Sequence, residues 1–343
     1  MTDRSGVVHS GEVRHEPLSD RPSGRDGNDV ETSGLLGGNR NPKGRDSADF
    51  LAADSRLDPC RAPREFTVKR PTDSDLEQRL SERDWLILSA VRGFRFLTTR
   101  QIARQHFGNT TRTGAVPRSA NLALVRLREL GLLTNLERRI GGVRAGSGGF
   151  VWQLTERGDR VLAKHLGQTS RGRTRTHEPG TSFLDHTLAI AEVVLTLQEA
   201  ASTGRITLSK IEPEPDCWRS YLGPGGVALT LKPDIAAVTV SSGFEDHWFI
   251  EVDRATEPPN RVVKKCLQYQ EYLTTGLEQD RLGLFPAIVW AVPSQRRRDQ
   301  LIQRLQGEAS IDRRLFTVVI PEDIEELVLV GAAEYHGRQG GAL

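Results

Sequence analysis

Two short acidic motifs carry most of the chemical information in this sequence. Pro233-Asp234 lies in one β-prone run, and Glu251-Val252-Asp253 ends the next, seventeen residues after Asp234. Carboxylates at neighbouring strand positions can share one hard cation, and Asp253 faces the same side of a strand as Glu251. A Mg²⁺ or Mn²⁺ ion held by Asp234 and Glu251 would activate water and stabilise a phosphoryl transition state. The alternative is a pair of ordinary strand-end acids.

The predicted helix after these motifs adds three polar side chains at intervals of four residues, which places them along one stripe. The stripe can face the carboxylates or a phosphate, although Gln268 and Tyr272 can equally be core and surface residues. The candidate catalytic residues are Asp234, Glu251, Asp253, Lys264, Gln268 and Tyr272. His186, on an earlier helix, is interpreted as a hydrogen-bonded core histidine.

The elements that must position these residues alternate between helical and β-prone segments from residue 181 to 330. A strong amphipathic helix comes first, and three β-prone runs follow it. A helix with proline at its start, a buried strand, a helix and a last strand complete the segment. Such alternation predicts an α/β sheet core with flanking helices.

Residues 76–167 have a different pattern, with three helices followed by a β-hairpin and a closing helix. Ser81, Thr98 or Thr99, and Ser119 are the expected N-caps, and Gly131 is the expected end of the third helix. The apolar face of that helix includes Leu122. Three helices followed by a hairpin is the order of a winged helix-turn-helix.

Positive charge is concentrated in this segment. Residues 81–166 contain 15 Lys and Arg against 6 Asp and Glu, whereas the whole chain has a formal charge of +2. A basic surface of this kind is typical of phosphate binding, so we expect the segment to bind double-stranded DNA. The alternative is a winged helix that contacts protein. The expected DNA contacts, on the third helix and the hairpin, are Arg118, Ser119, Asn121, Arg126, Arg128, Arg138, Arg139 and Arg144.

The remaining segments are polar. Residues 1–75 and 331–343 are expected to be tails, the first of them disordered, and residues 168–180 a linker. The three cysteines show no metal-ligand spacing, and no apolar run reaches the length of a membrane span. The sequence also lacks a P-loop. We therefore expect a cytoplasmic protein without membrane partners.

The spacing of Pro233-Asp234, Glu251-Val252-Asp253 and Gln268-xxx-Tyr272 resembles that of the PD-(D/E)xK nuclease-like superfamily. More narrowly, residues 81–329 resemble the replication-relaxation family of actinobacterial plasmids and mobile elements, through LTERG, FLDHTLAIAEV, LKPD, FIEVDRATE and RVVKKCLQYQEY. This resemblance implies an α+β protein of two domains: a winged helix-turn-helix, and a restriction-endonuclease-like mixed sheet flanked by helices. It also implies a role in plasmid replication or relaxation, with origin DNA and replication or transfer proteins as partners.

One position departs from the superfamily motif, because Asp253 stands where lysine is usual. One alternative is that the reaction relies more strongly on metal. Another is that Lys232, Lys264 or Lys265 reaches the site from elsewhere and replaces the missing lysine. A third alternative is that cleavage has been lost. Two hypotheses therefore stand: a metal-dependent nicking protein, and a non-catalytic DNA-binding factor that controls replication or transcription.

Overall fold

The computed structural model describes residues 71–108, 116–136, 149–170 and 179–338. All of these residues belong to one compact unit, Thr67–Leu343. None of the helices within these ranges is long and apolar enough to cross a membrane. Most of the expected N-terminal tail, and part of the expected linker, lie outside the described residues.

The described residues of the N-terminal part form five helices and three strands. They are α1 (Asp73–Arg79), α2 (Glu82–Phe94), β1 (Leu97–Thr98), α3 (Thr99–His106), α4 (Arg118–Glu129), β2 (Leu133–Asn135), β3 (Val151–Leu154) and α5 (Glu156–His165). The strands form an antiparallel sheet in the order β1-β3-β2. Ser81 and Thr98 cap α2 and α3 through reciprocal hydrogen bonds with Asp84 and Gln101, which confirms these two expected caps.

Two expectations about α4 are wrong. The helix begins at Arg118 after Pro117, with no side-chain cap, so Ser119 already lies inside its first turn. Leu122 is 59% exposed, because the buried face of α4 consists of Ala120, Leu124 and Leu127. Gly131, with φ of +74°, directly follows the last turn of the helix, as expected. The winged-helix assignment stays a prediction, since the tip of the expected hairpin lies outside the described ranges.

Residues 179–338, the described C-terminal part, form six helices and seven strands. They are α6 (Thr181–Ser202), β4 (Thr207–Pro213), β5 (Arg219–Leu222), β6 (Ala228–Leu231), β7 (Ile235–Ser241), β8 (Phe244–Val252), α7 (Pro259–Thr274), α8 (Leu277–Leu282), β9 (Ala287–Ala291), α9 (Gln295–Gln306), β10 (Phe316–Val319), α10 (Ile324–Val330) and α11 (Ala332–Arg338). The last helix falls within the expected C-terminal tail, and its Tyr335 is buried.

Five strands form a mixed sheet in the order β10-β9-β8-β7-β4. Strands β8, β9 and β10 are parallel, whereas β7 and β4 are antiparallel to their neighbours. Helices α7 and α9 pack on one face through residues such as Cys266 and Leu301. Helices α6 and α10 pack on the other through residues such as Val194 and Leu327. The expected α+β fold with a mixed sheet flanked by helices is thus confirmed. Strands β5 and β6 form a separate two-stranded ribbon.

Helix α6 belongs to both parts of the chain. Its Val193 and Leu197 pack in the core of the mixed sheet, while its Ala191 packs in the core of the N-terminal part. Two residues of α3 also bind it: Gln101 donates a hydrogen bond to the Leu188 carbonyl (2.9 Å), and Arg104 forms ion pairs with Glu192 and Glu199. The N-terminal helices are therefore fixed directly to the helix that covers the sheet.

Candidate functional site

The end of the β7–β8 pair brings two carboxylates together. Asp234 directly precedes β7, and the antiparallel register that pairs Ile235 with Ile250 places it beside Glu251. The Val252 amide donates to Asp234 Oδ2 at 2.7 Å, and His186 Nε2 lies 3.1 Å from Asp234 Oδ1. Both oxygens of Asp234 thus have a protein partner, which fixes the orientation of the carboxylate.

Glu251 is almost fully buried, with 5% of its surface exposed. The Tyr269 hydroxyl donates to its Oε1 at 2.5 Å, and Lys265 Nζ lies 3.3 Å from the same oxygen. Burial, together with the negative charge of Asp234, raises the pKa of Glu251 to about 8. The positive charge of Lys265 lowers the pKa of Glu251 but does not cancel these two effects.

The carboxylates lie in a cleft of about 970 Å³ between α6, α7 and the loop after β8. Five of the six candidate catalytic residues line it: Asp234, Glu251, Asp253, Lys264 and Gln268. Lys264 is exposed, and the Gln268 amide donates to the Thr230 carbonyl at 3.2 Å. The acidic motifs and the following helix therefore do meet in space.

Tyr272, the sixth candidate, lies outside this cleft. Its hydroxyl donates to Glu278 at 2.9 Å within the core, and burial raises its pKa. Tyr269, three residues earlier, is the tyrosine that reaches Glu251. Both tyrosines lie on the buried face of α7, together with Val262 and Cys266, but only Tyr269 lies level with Glu251.

Asp253 contributes to the cleft wall as half of an ion pair. Arg297 of α9 donates to both of its oxygens, at 2.6 and 3.1 Å. Each of the two side chains is 6% exposed. Arg297 also donates to the Glu257 carbonyl at 2.8 Å. The acid at the motif's lysine position is therefore neutralised by an arginine that lies 44 residues away.

His186 is a site residue that the sequence did not indicate. Its side chain is hydrogen-bonded, as expected, but it does not lie in the core, because it is 31% exposed and lines the cleft. The hydrogen bond to Asp234 raises the pKa of His186 against the opposing effect of burial. Glu214 lies nearby, and its pKa is also raised, mainly by burial and secondly by the negative charge of Asp234.

Two carboxylates provide only part of a metal site. No group of three or more His, Cys, Asp or Glu residues able to hold a metal ion occurs in the described ranges. Mg²⁺, however, usually keeps several waters and binds through one or two carboxylates together with substrate phosphates. The oxygen donors of Asp234 and Glu251 fit such an ion, with phosphate and water as the remaining ligands.

Helix α4 presents a polar face to solvent. Arg118, Ser119, Asn121 and Arg128 are exposed, whereas Arg126 forms an ion pair with Asp84, which is 1% exposed. Four of the five expected DNA contacts on this helix are thus available to a ligand. The expected hairpin contacts Arg138, Arg139 and Arg144 lie outside the described residues.

Comparison with known protein families identifies the family to which this chain is similar. The family model described as Replication-relaxation matches residues 88–288, a range that begins in α2 and ends in β9. The match covers most of the N-terminal part and, of the residues that line the carboxylate cleft, all except Trp290. No curated protein and no solved structure gives a significant match.

Proposed function

Because the chain belongs to the replication-relaxation family, we propose that it nicks plasmid or mobile-element DNA during replication or relaxation. The N-terminal part selects the duplex as a winged helix-turn-helix, and the cleft acts on one phosphodiester bond. The observation that carries this proposal is the meeting of Asp234, Glu251 and Lys265 in one open cleft. Two carboxylates that could hold a metal ion, together with an ammonium group, suit a reaction in which negative charge develops on a phosphate.

Asp234 and Glu251 are the residues that would hold a divalent cation. When bound, Mg²⁺ or Mn²⁺ supplies an activated water and stabilises charge on the phosphate. The protein's own contribution is orientation: the Val252 amide holds Asp234, and the Tyr269 hydroxyl holds Glu251. Outer contacts of this kind fix the direction of the ligand oxygens.

Lys265 takes the place of the lysine that the motif lacks. Its Nζ lies 3.3 Å from Glu251 Oε1 and donates to the Lys232 carbonyl at 2.7 Å. It reaches the carboxylates from α7, one of the routes that the sequence leaves open. The ammonium group would offset phosphate charge, which the carboxylate at position 253 cannot do because it is itself negative.

Charge supports the DNA-binding half of the proposal. The N-terminal segment 81–166 has an excess of nine positive charges, and the start of α4 presents Arg118, Ser119 and Asn121 to solvent. In a helix-turn-helix, the first residues of the recognition helix contact base edges in the major groove. Arginine and asparagine are the side chains best suited to guanine and adenine there.

The test is conversion of supercoiled plasmid to open circles, with Mg²⁺, with Mn²⁺ and with EDTA. We expect metal-dependent nicking by the wild type, loss of nicking in Asp234→Asn, and a decrease of about 100-fold or more in Lys265→Met. Lys210→Met is the matched control, because this exposed lysine lies on β4 and pairs with Glu212. Equal activity of Lys265→Met and Lys210→Met would contradict the role of Lys265.

A second candidate function is a non-catalytic DNA-binding factor with a degenerate cleft. It is supported by the protein contacts that already occupy two acids of the motif. Asp234 has a hydrogen-bond partner on each oxygen, and Asp253 is ion-paired with Arg297. In that case the plasmid shifts on a gel but stays supercoiled under every metal condition.

A further inference from the structure

Trp218 is the exposed tryptophan of this protein. It is 37% exposed, whereas the chain's other four tryptophans, all within the described ranges, are buried or half-buried: Trp85, Trp152, Trp248 and Trp290. Exposing an indole ring leaves a large apolar face in water. Tryptophan in such a position is typical of binding surfaces, where it supplies a rigid flat contact.

The backbone around Trp218 is held firmly. The Trp218 amide donates to the Pro215 carbonyl at 3.1 Å. The thiol of the fully buried Cys217 donates to the Pro233 carbonyl at 2.9 Å. On the other side, Arg219 pairs with the buried Glu278 at 2.8 Å. The backbone that carries the exposed ring is therefore already ordered. Binding of a ligand would cost little additional conformational entropy in this segment.

A lysine places positive charge on the same surface. Lys232 Nζ lies 4.4 Å from the centroid of the Trp218 ring, and no described carboxylate forms an ion pair with it. The Lys232 carbonyl accepts the hydrogen bond from Lys265, and Asp234 follows two residues later. Neither Trp218 nor Lys232 lines the cleft itself, but the Lys232 backbone contacts Lys265, which does.

We propose that Trp218 and Lys232 bind an unpaired DNA base and its phosphate next to the bond held at Asp234 and Glu251. This inference rests on the proposed function and names its substrate as single-stranded or locally melted DNA. Every base has a face that can stack on an aromatic ring, and basic side chains beside the ring hold the backbone. In a duplex those faces are covered by neighbouring bases, so an intact duplex cannot use the indole ring in this way.

The experiment measures fluorescence anisotropy of a labelled oligonucleotide of about 16 nucleotides, within the usual site size of such surfaces. The same sequence as a duplex is the parallel probe, and the full chain is used throughout. We expect Trp218→Ala to weaken single-strand binding by about 5- to 100-fold, the range for loss of one stacked base. Duplex binding should change less than about twofold, because it depends on the N-terminal part.

Two further variants separate stacking from general damage. Trp218→Phe retains an aromatic face and should recover most of the single-strand affinity. Phe244→Ala removes a side chain that is 73% exposed on β8, away from the cleft lining, and should leave both affinities unchanged. A single-strand affinity of Trp218→Ala equal to that of the wild type would overturn the inference, as would an equal loss for strand and duplex.

The plasmid-nicking assay distinguishes this failure from failure of the proposed function. If Lys265→Met loses nicking while Trp218→Ala binds single strands normally, only the base-binding inference fails. If the wild type does not nick but Trp218→Ala loses single-strand affinity selectively, the base-binding surface stands and the cleavage proposal fails.

Discussion

Replacing Arg297 with methionine tests whether Asp253 has a structural role. The substitution removes a guanidinium that donates two hydrogen bonds to Asp253, and both side chains are 6% exposed. Removing one partner of a buried pair typically costs about 3–5 kcal/mol, because the other charge stays buried without compensation. The lost hydrogen bond to the Glu257 carbonyl adds about 1 kcal/mol. We therefore expect Arg297→Met to lower the free energy of unfolding by about 4–6 kcal/mol.

The double variant Asp253→Leu/Arg297→Met is the decisive comparison. Replacing a buried pair with apolar side chains of similar volume is often neutral or stabilising, so most of the loss should be recovered. Urea unfolding monitored by circular dichroism gives the free energies of all four proteins. The coupling energy should exceed about 2 kcal/mol, since the two groups are in direct contact.

Either of two results would refute this reasoning. One is a loss of less than about 1 kcal/mol in Arg297→Met, which is the usual size for an exposed pair. The other is additivity of the two single substitutions. Nicking by the folded double variant would show in addition that Asp253 is dispensable for the reaction, whereas a motif acid that binds the metal would not be.

Two further predictions concern stability. A Cβ at position 158 would lie 2.1 Å from the Leu132 carbonyl oxygen, while one at Gly93 would meet no atom within 4 Å. Gly158→Ala should therefore lower the melting temperature, and Gly93→Ala, in the last turn of α2, should raise stability by up to about 0.5–1 kcal/mol; equal shifts in thermal unfolding would contradict the packing at α5. His106 has its pKa lowered from 6.5 to about 4, mainly by burial. The unfolded chain then binds more protons between these values, so stability should fall as the pH drops from 6.5 towards 4. His106→Gln should lose part of that dependence in urea unfolding at a series of pH values, and an unchanged dependence would exclude the histidine as its source.

Local patterns in the sequence were sufficient for the starts of α2 and α3 and for the meeting of the carboxylates. Ser81 and Thr98 cap their helices because capping depends on a few neighbouring residues. Asp234 and Glu251 come together because a hairpin connects their strands. Both features follow from contacts that are close along the chain.

The rest of the site depends on contacts that local patterns do not encode. The spacing of four residues predicted that Tyr272 would face the carboxylates. In the structure, with Cys266 packed on the sheet, Tyr269 is the tyrosine that contacts Glu251. His186 and Arg297 reach the site from α6 and α9, which lie 48 and 44 residues from their partners. A single sequence without an alignment contains no signal for pairs of this separation.

Helix α6 fixes the distance between the expected DNA-reading helix and the carboxylates of the proposed enzyme. Because the same helix packs in both cores and binds Gln101 and Arg104 of α3, the start of α4 is held at a constant offset from the carboxylates. A protein with its two parts on a tether could cut over a range of positions around the bound sequence. Here the register between the recognised bases and the scissile phosphate would be a property of the fold, so cuts should fall at one defined step along the DNA.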